Sequence, residues 1–153
     1  MRCCLKMVIA CLLWLAVPAD VSLAGVQAAP RTIELSAGGQ RIEAEYAETP
    51  ESRDTGLMER RSLPANHGML FIFPEAHRHC MWMLNTHIPL SVAFLDDEGV
   101  IVNFADMLPD TRDYHCAAMP VRYALEMNKD WFEKKRLRPG VRISGIAQAP
   151  PGR

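Results

Sequence analysis

Short segments of strand-forming residues, separated by turn residues, make up most of the sequence after residue 30. Residues 32–35 and 41–46 alternate apolar and polar side chains around Gly38-Gly39, which predicts a β-hairpin. Residues 68–74 form an apolar run between glycine and proline that is too short for a typical helix, so they predict a buried strand. This pattern favours a mainly β fold: a β-sandwich or a partly closed barrel with one or two short helices at its edges.

Two short helices and several further strands complete the prediction. Thr49 is a favoured N-cap, Pro50 a favoured first helical residue, and Glu51 suits the positive end of a helix dipole, so a helix is expected from 50 to about 58. A second helix is expected over 130–137. The remaining strands are expected at 79–84, 89–95, 100–104, 123–127 and 141–146.

The first residues have the three-part layout of a secretory signal peptide. Arg2 and Lys6 form a positive start, residues 7–17 form an apolar core, and small residues that follow offer cleavage sites. That core is about half of the ~20 residues that a membrane-spanning helix needs. We therefore expect a signal peptide at 1–28, a single β-rich domain at 29–148 and a disordered tail at 149–153. The mature protein would be periplasmic or secreted, without a stable membrane span.

Composition and charge narrow the class of partner. Hydrophobic residues make up 49% of the chain and charged residues 23%, which is typical of a globular protein. The formal net charge is −1, whereas proteins that bind nucleic acids usually have a basic face. Nucleic acid is therefore not an expected partner.

Cys80 and Cys116 are the two cysteines that follow the predicted signal peptide. In an oxidising compartment they can form a disulfide, and the loop that it closes would contribute roughly 3–4 kcal/mol in the chain-entropy model. Two separate buried thiols are the alternative, because only geometry decides whether two cysteines can be bridged.

Several motifs resemble those of a known prokaryotic family, called domain of unknown function 192, over roughly residues 32–146. They are Gly56-Leu57-Met58-x-Arg60, Gly68-Met69-Leu70-Phe71-x-Phe73, Trp82-Met83-x-Asn85-Thr86-x-Ile88-Pro89-Leu90, Phe94-x-Asp96, Met107-x-Pro109 and Arg122-Tyr123-x-Leu125-Glu126. The resemblance implies a jelly-roll-like β-sandwich, often exported, with no established activity. Family members usually carry aspartate where this chain has Ser91 and Val141, so any role of those aspartates does not carry over.

The motif around Trp82 offers a candidate ligand site. A tryptophan near an asparagine and a threonine can form an aromatic wall with a few fixed hydrogen-bonding groups. The alternative is that Trp82 is a core residue and that its polar neighbours fix a turn. The candidate ligand-binding residues are Arg60, Trp82, Asn85, Thr86 and Glu126.

Glu126 has two interpretations of its own. It lies inside an apolar segment, where a charge is costly to bury unless it is paired, so Arg60, Arg61 or Arg122 would be its partner in a buried site. Strand alternation predicts instead that Tyr123, Leu125 and Met127 face the core and that Glu126 points to water. The residues by themselves favour the second interpretation.

The densest cluster of soft metal ligands is His77, His79, Cys80 and Met81. Thioether, thiolate and imidazole together suit Cu(I), so a periplasmic copper-binding protein is an alternative function. The spacing matches no zinc motif, and several methionines fall at family motif positions and are typical core residues.

Three hypotheses of function follow. The first is a non-enzymatic cell-envelope module that binds a small ligand or a protein partner, with no cofactor. The second is the copper protein. The third is a hydrolase-like enzyme with a cysteine catalyst, such as Cys80 with His115, or a carboxylate catalyst, although common hydrolase motifs are missing from the sequence.

Overall fold

The computed structural model describes residues 31–153, and the predicted signal peptide at 1–28 lies outside the described residues. Its elements, in chain order, are strands β1 (Thr32–Ala37) and β2 (Gln40–Ala47), helix α1 (Pro50–Thr55), strands β3 (His67–His77), β4 (Cys80–Met81), β5 (Leu90–Leu95), β6 (Ile101–Met107), β7 (His115–Cys116) and β8 (Val121–Asn128), helix α2 (Trp131–Lys134) and a 3₁₀ helix at Ile146–Gln148.

The first hairpin and the first helix form where the sequence predicts them. Gly38 and Gly39 both have positive φ angles, which the tight turn between β1 and β2 requires and which glycine adopts without steric cost. Thr49 caps α1 by accepting a hydrogen bond from the backbone N–H of Ser52. The helix ends at Thr55 because Gly56 turns the chain with a φ of 46°.

Six strands form one sheet in the order β1-β2-β3-β8-β5-β6. The β2–β3 pair is parallel and every other pair in this sheet is antiparallel. The two remaining strands, β4 and β7, form a separate antiparallel ribbon in which Cys80 lies opposite Cys116. We call this two-stranded element the ribbon.

Both faces of the six-stranded sheet are buried. Leu70 and Ile72 of β3 belong to one hydrophobic cluster, whereas their neighbours Met69 and Phe71 belong to a second cluster on the opposite face. Every residue of β5 is buried, as expected for a strand that is covered on both sides. The mainly β fold with two short helices is therefore confirmed, in a sandwich-like form; over residues 31–153 the sheet keeps two edge strands, β1 and β6, and does not close into a barrel.

Two predicted strands differ from the structure. The predicted strand at 79–84 is limited to Cys80–Met81, because the chain turns at Asn85 with a φ of 54°. The predicted strand at 141–146 is wrong: this segment makes only single bridges, at Arg142 and Ser144, before the 3₁₀ helix. The positive φ of Gly145 bends the backbone there, so an extended strand cannot continue.

Residues 149–153, for which the sequence predicts a disordered tail, lie along the sheet in the structure. Arg153 donates its backbone N–H to the carbonyl of Glu48 at 2.7 Å, and its guanidinium pairs with the buried Glu48 carboxylate. Arg53 in turn donates to the carbonyl of Arg153 at 2.8 Å. One backbone hydrogen bond and two charge-assisted contacts thus hold residue 153 beside α1.

Candidate functional site

A small cavity lies on the face of the sheet that carries α1. It is bordered by the end of α1, by the residues that follow β4 and by the central strand β8, and its volume of about 30 Å³ has room for one or two water molecules. We call it the Glu126 cavity. Its lining residues are Arg53, Asp54, Thr55, Gly56, Leu57, Met58, Phe71, Met81, Trp82, Thr86 and Glu126.

Glu126 is the buried carboxyl at this cavity. On β8 it lies between Met69 of β3 and Val92 of β5, and only 4% of the residue is exposed. The interpretation that Glu126 points to water is wrong, because β8 is a central strand and the second hydrophobic cluster, which includes Leu57 and Met83, covers the face on which Glu126 lies. Alternation placed Glu126 on the face opposite to Leu125, but that face is also buried.

The environment of Glu126 opposes its negative charge. Burial raises the pKa of the Glu126 carboxyl to about 8, and no charged or hydrogen-bonding group among residues 31–153 offsets this effect. Among the same residues, no fully buried side-chain oxygen or nitrogen lacks a partner, so the carboxyl oxygens meet the open space of the cavity. The site therefore holds a neutral carboxylic acid at pH 7, which can both donate and accept a hydrogen bond.

Trp82 lies at the same cavity and remains 40% exposed. Its ring stacks on that of Tyr114, which is 70% exposed, with the ring centroids 5.9 Å apart and the ring planes 6° from parallel. A disulfide joins Cys80 to Cys116 and ties together the two strands that lead to these rings. The ribbon thereby holds the stacked rings of Trp82 and Tyr114, which adjoin its two strands, beside the cavity that contains the Glu126 carboxyl.

Thr86 and Asn85, two further candidate residues, differ in whether they reach the Glu126 cavity. Thr86 is buried at the cavity and donates its hydroxyl to the carbonyl of Leu84 at 3.3 Å. Asn85 is exposed in the turn, where its backbone carbonyl accepts the N–H of Glu59 at 2.8 Å. The structure thus brings Trp82, Thr86 and Glu126 to one cavity. Asn85 does not line this cavity and lies in the adjacent turn.

Arg60 does not pair with Glu126. Its guanidinium makes a two-pronged ion pair with Glu45 of β2, at 2.5 and 2.7 Å, beside a larger open cleft of about 510 Å³. Arg122, another expected partner of Glu126, donates to the carbonyl of Phe73 at 3.0 Å. Both arginines are therefore engaged elsewhere, and Glu126 is left without a counter-ion.

The soft-ligand cluster does not converge on one point. His79 stacks on Phe73 at 3.6 Å between ring centroids, His77 is exposed, Cys80 is bonded to Cys116, and Met81 is buried in the core. Within residues 31–153, no three histidine, cysteine, aspartate or glutamate side chains are grouped closely enough to hold a metal ion. The disulfide also removes Cys80 as a thiolate nucleophile for His115.

Sequence reasoning missed Arg53 and Tyr114. Arg53 lines the cavity, and it donates to the carbonyls of Glu48 and Ile72 as well as to that of Arg153. Tyr114 lies directly before β7, and no local pattern places its ring on Trp82. Thr49, Pro50 and Glu51 are local signals for the start of the helix that carries Arg53, but they do not indicate what its side chain contacts.

The geometry defines a small β-rich domain with a buried carboxyl in a side cavity. No helix of the described region is long and apolar enough to cross a membrane. The sequence from residue 33 to residue 145 matches the model of domain of unknown function 192, described as "Uncharacterized ACR". The chain therefore belongs to this family, and the resemblance of its motifs is confirmed.

Two solved structures are similar to the chain. A Sinorhizobium meliloti 1021 protein described as a "putative transcription regulator" is 31% identical, with a TM-score of 0.71, over 76% of this chain and 95% of that one. A protein of unknown function from Novosphingobium aromaticivorans DSM 12444 is 26% identical, with a TM-score of 0.73, over 84% of this chain and 93% of that one. No curated protein matches the sequence.

Proposed function

We propose that this protein is an exported, non-enzymatic cell-envelope module that binds a small ligand at the Glu126 cavity. The observation that carries the proposal is the Glu126 carboxyl, which is 4% exposed, has no partner among the described residues and meets open space. A buried polar group without a partner costs free energy, and a bound ligand would supply the missing hydrogen bonds or charge. Trp82 and Tyr114 would contact the part of the ligand that extends outward.

The chemistry of the cavity favours binding over catalysis. Its lining includes two threonine hydroxyls but no serine, cysteine, histidine or lysine that would serve as a nucleophile or base beside the carboxyl. The Thr86 hydroxyl is already donated to the carbonyl of Leu84. The other carboxylate of the lining, Asp54, is exposed, and the aromatic rings of Phe71 and Trp82 offer contact area, so the cavity is better suited to holding a ligand than to transferring a group.

The location in the envelope rests on the first 28 residues. Their charged start, apolar core and small residues are those of a cleavable signal. The full-length gene product should be recovered from the periplasm or the medium without its leader, as determined by mass spectrometry of the intact protein. A full-length protein confined to the cytoplasm would contradict this part of the proposal.

Ligand binding is tested by amide NMR with a panel of small amines, amides, sugars and carboxylates. A cavity ligand should shift the amide signals of Gly56, Thr86 and Glu126, and Trp82→Ala should weaken it. Leu108→Ala is the matched control, because Leu108 is 61% exposed and is not among the residues that line the cavity. The proposal is overturned if no compound shifts those amides, or if the shifts persist unchanged in both Trp82→Ala and Glu126→Gln.

A further inference from the structure

The Glu126 cavity has a definite charge requirement. Its charged lining residues, apart from Glu126 itself, are Arg53 and Asp54. The Arg53 guanidinium is occupied by three backbone carbonyls, those of Glu48, Ile72 and Arg153. Those carbonyls are neutral, so Arg53 keeps its charge, but its guanidinium makes no hydrogen bond or ion pair with Glu126. An incoming cation would be the first charged group to pair with this carboxyl.

The walls of the cavity also suit a cation. Trp82 and Phe71 both line it, and the faces of aromatic rings attract ammonium groups, tryptophan most strongly. Met58 and Met81 add polarizable thioethers rather than competing donors. An anionic ligand would instead meet Glu126 and Asp54, with the one lining arginine already engaged.

The volume of the cavity restricts the shape of that cation. A space of about 30 Å³ accommodates a group of the size of a water molecule, and so a single ammonium nitrogen rather than a planar guanidinium. The remainder of the ligand would lie against the exposed stack of Trp82 and Tyr114. A bare metal ion is less suited, because the described residues offer no group of three histidine, cysteine, aspartate or glutamate side chains that would coordinate it.

From these observations we propose that the ligand of the Glu126 cavity carries a primary ammonium group, which the Glu126 carboxylate and the Trp82 ring hold together. This inference rests on the proposed function, since it names the class of ligand for the same cavity. The ammonium group keeps its protons on binding. The carboxyl gives its proton to solvent, so that a carboxylate–ammonium pair replaces a neutral acid.

The proton release makes binding depend on pH. Burial raises the pKa of Glu126 to about 8, so below that pH an ammonium ligand must displace a proton to bind. The other groups that face Glu126 are the uncharged Met69 of β3 and Val92 of β5, and Arg53 and Asp54 near the end of α1. Affinity should therefore rise with pH up to about 8 and then level off, at about tenfold per pH unit at the steepest.

The test uses n-butylammonium chloride and, as a neutral probe of the same shape, n-butanol. Isothermal titration of the mature protein in two buffers of different ionisation heat should show that butylammonium binds, that butanol binds at least about tenfold more weakly, and that a proton is released at pH 6.5. Glu126→Gln should weaken butylammonium by about 10- to 100-fold, whereas Glu98→Gln, at an exposed turn, should not.

Three outcomes would overturn the inference: equal binding of butanol, no proton release, or equal competition by potassium chloride, which would indicate a general cation site. The failure of the proposed function is distinguishable. If another compound of the NMR panel shifts the cavity amides while butylammonium does not, only the ammonium inference falls. If no compound shifts them, both fall.

Discussion

Trp82 and Glu126 border one cavity, although Trp82 follows a strand of the disulfide-linked ribbon and Glu126 belongs to the centre of the six-stranded sheet. The ribbon brings an exposed aromatic ring to a carboxyl that the sheet has buried. Neither residue by itself makes a site: the ring offers contact area and the carboxyl offers an unsatisfied polar group. Their shared cavity is the basis of the proposal that the two residues contact one ligand.

The stability of the protein should depend on pH through Glu126. Since the folded state raises the pKa of this acid to about 8, it binds the proton more tightly than the unfolded state does. The free energy of unfolding should therefore fall, by up to about 4–5 kcal/mol, as the pH rises from about 4.5 to 8, and change little above that from this group. Urea unfolding followed by circular dichroism at each pH measures the effect.

Glu126→Gln isolates the contribution of that charge. The variant keeps the shape of the side chain but cannot ionise, so it should be more stable than the natural protein at pH 8 and close to it at pH 4. Glu98→Gln, which changes an exposed glutamate, should follow the natural protein at both pH values. A Glu126→Gln variant that shows the same pH dependence as the natural protein would refute the role assigned to Glu126.

Reduction of the Cys80–Cys116 disulfide should destabilise the fold. The bond spans a sequence separation of 36 residues, for which the chain-entropy model gives about 3–4 kcal/mol. Thermal unfolding with and without dithiothreitol should show a clearly lower midpoint in the reduced protein. Cys80→Ser with Cys116→Ser provides the control, since its midpoint should already be low and should not respond to the reductant. An unchanged midpoint in the natural protein would exclude a stabilising disulfide.

The ion pair of Arg60 with Glu45 should be worth more than an ordinary surface pair. Both oxygens of Glu45 are engaged, and the side chains are only 34% and 18% exposed. A double-mutant cycle with Arg60→Met and Glu45→Gln should give a coupling energy of about 1 kcal/mol. The matched pair is Arg41–Glu34, whose side chains are 78% and 61% exposed and whose coupling should lie near zero. Equal couplings would contradict the distinction.

Ser91 should not tolerate the aspartate that related sequences usually carry. Its hydroxyl donates to Asp106 across the β5–β6 pair and accepts the backbone N–H of Asp130 at 2.8 Å, at the start of α2. Ser91→Asp would place a buried carboxylate against the exposed carboxylate of Asp106 and should cost about 2 kcal/mol at pH 7.

The pH dependence separates charge from shape at this position. At pH 4 the introduced carboxyl can take up a proton, so most of the loss in unfolding free energy should be recovered. Ser91→Ala removes only the hydroxyl and should cost about 1 kcal/mol at both pH values. A cost for Ser91→Asp that is independent of pH would point to steric strain instead of charge repulsion.

Much of the fold was predictable because short-range patterns specify it. The Gly38-Gly39 turn, the Thr49 cap and the apolar run of β3 each act over a few residues, and each led to the element that the structure contains. The prediction of a strand at 141–146 was wrong although the segment alternates apolar and polar residues as a strand does. Gly145 bends the backbone, and the segment forms only single bridges, with Ser36 and Val100.

The sequence by itself determined that the chain is a mainly β member of its family and that Trp82, Thr86 and Glu126 are candidate ligand-binding residues. Only the tertiary structure decided what surrounds them. Alternation along β8 specifies which residues share a face, but not whether a second layer covers that face. Because the second hydrophobic cluster covers that face of β8, Glu126 is buried and uncharged at neutral pH, while Arg60 pairs with Glu45 instead. Burial and pairing depend on residues distant in the chain, and so they cannot be derived from local pattern.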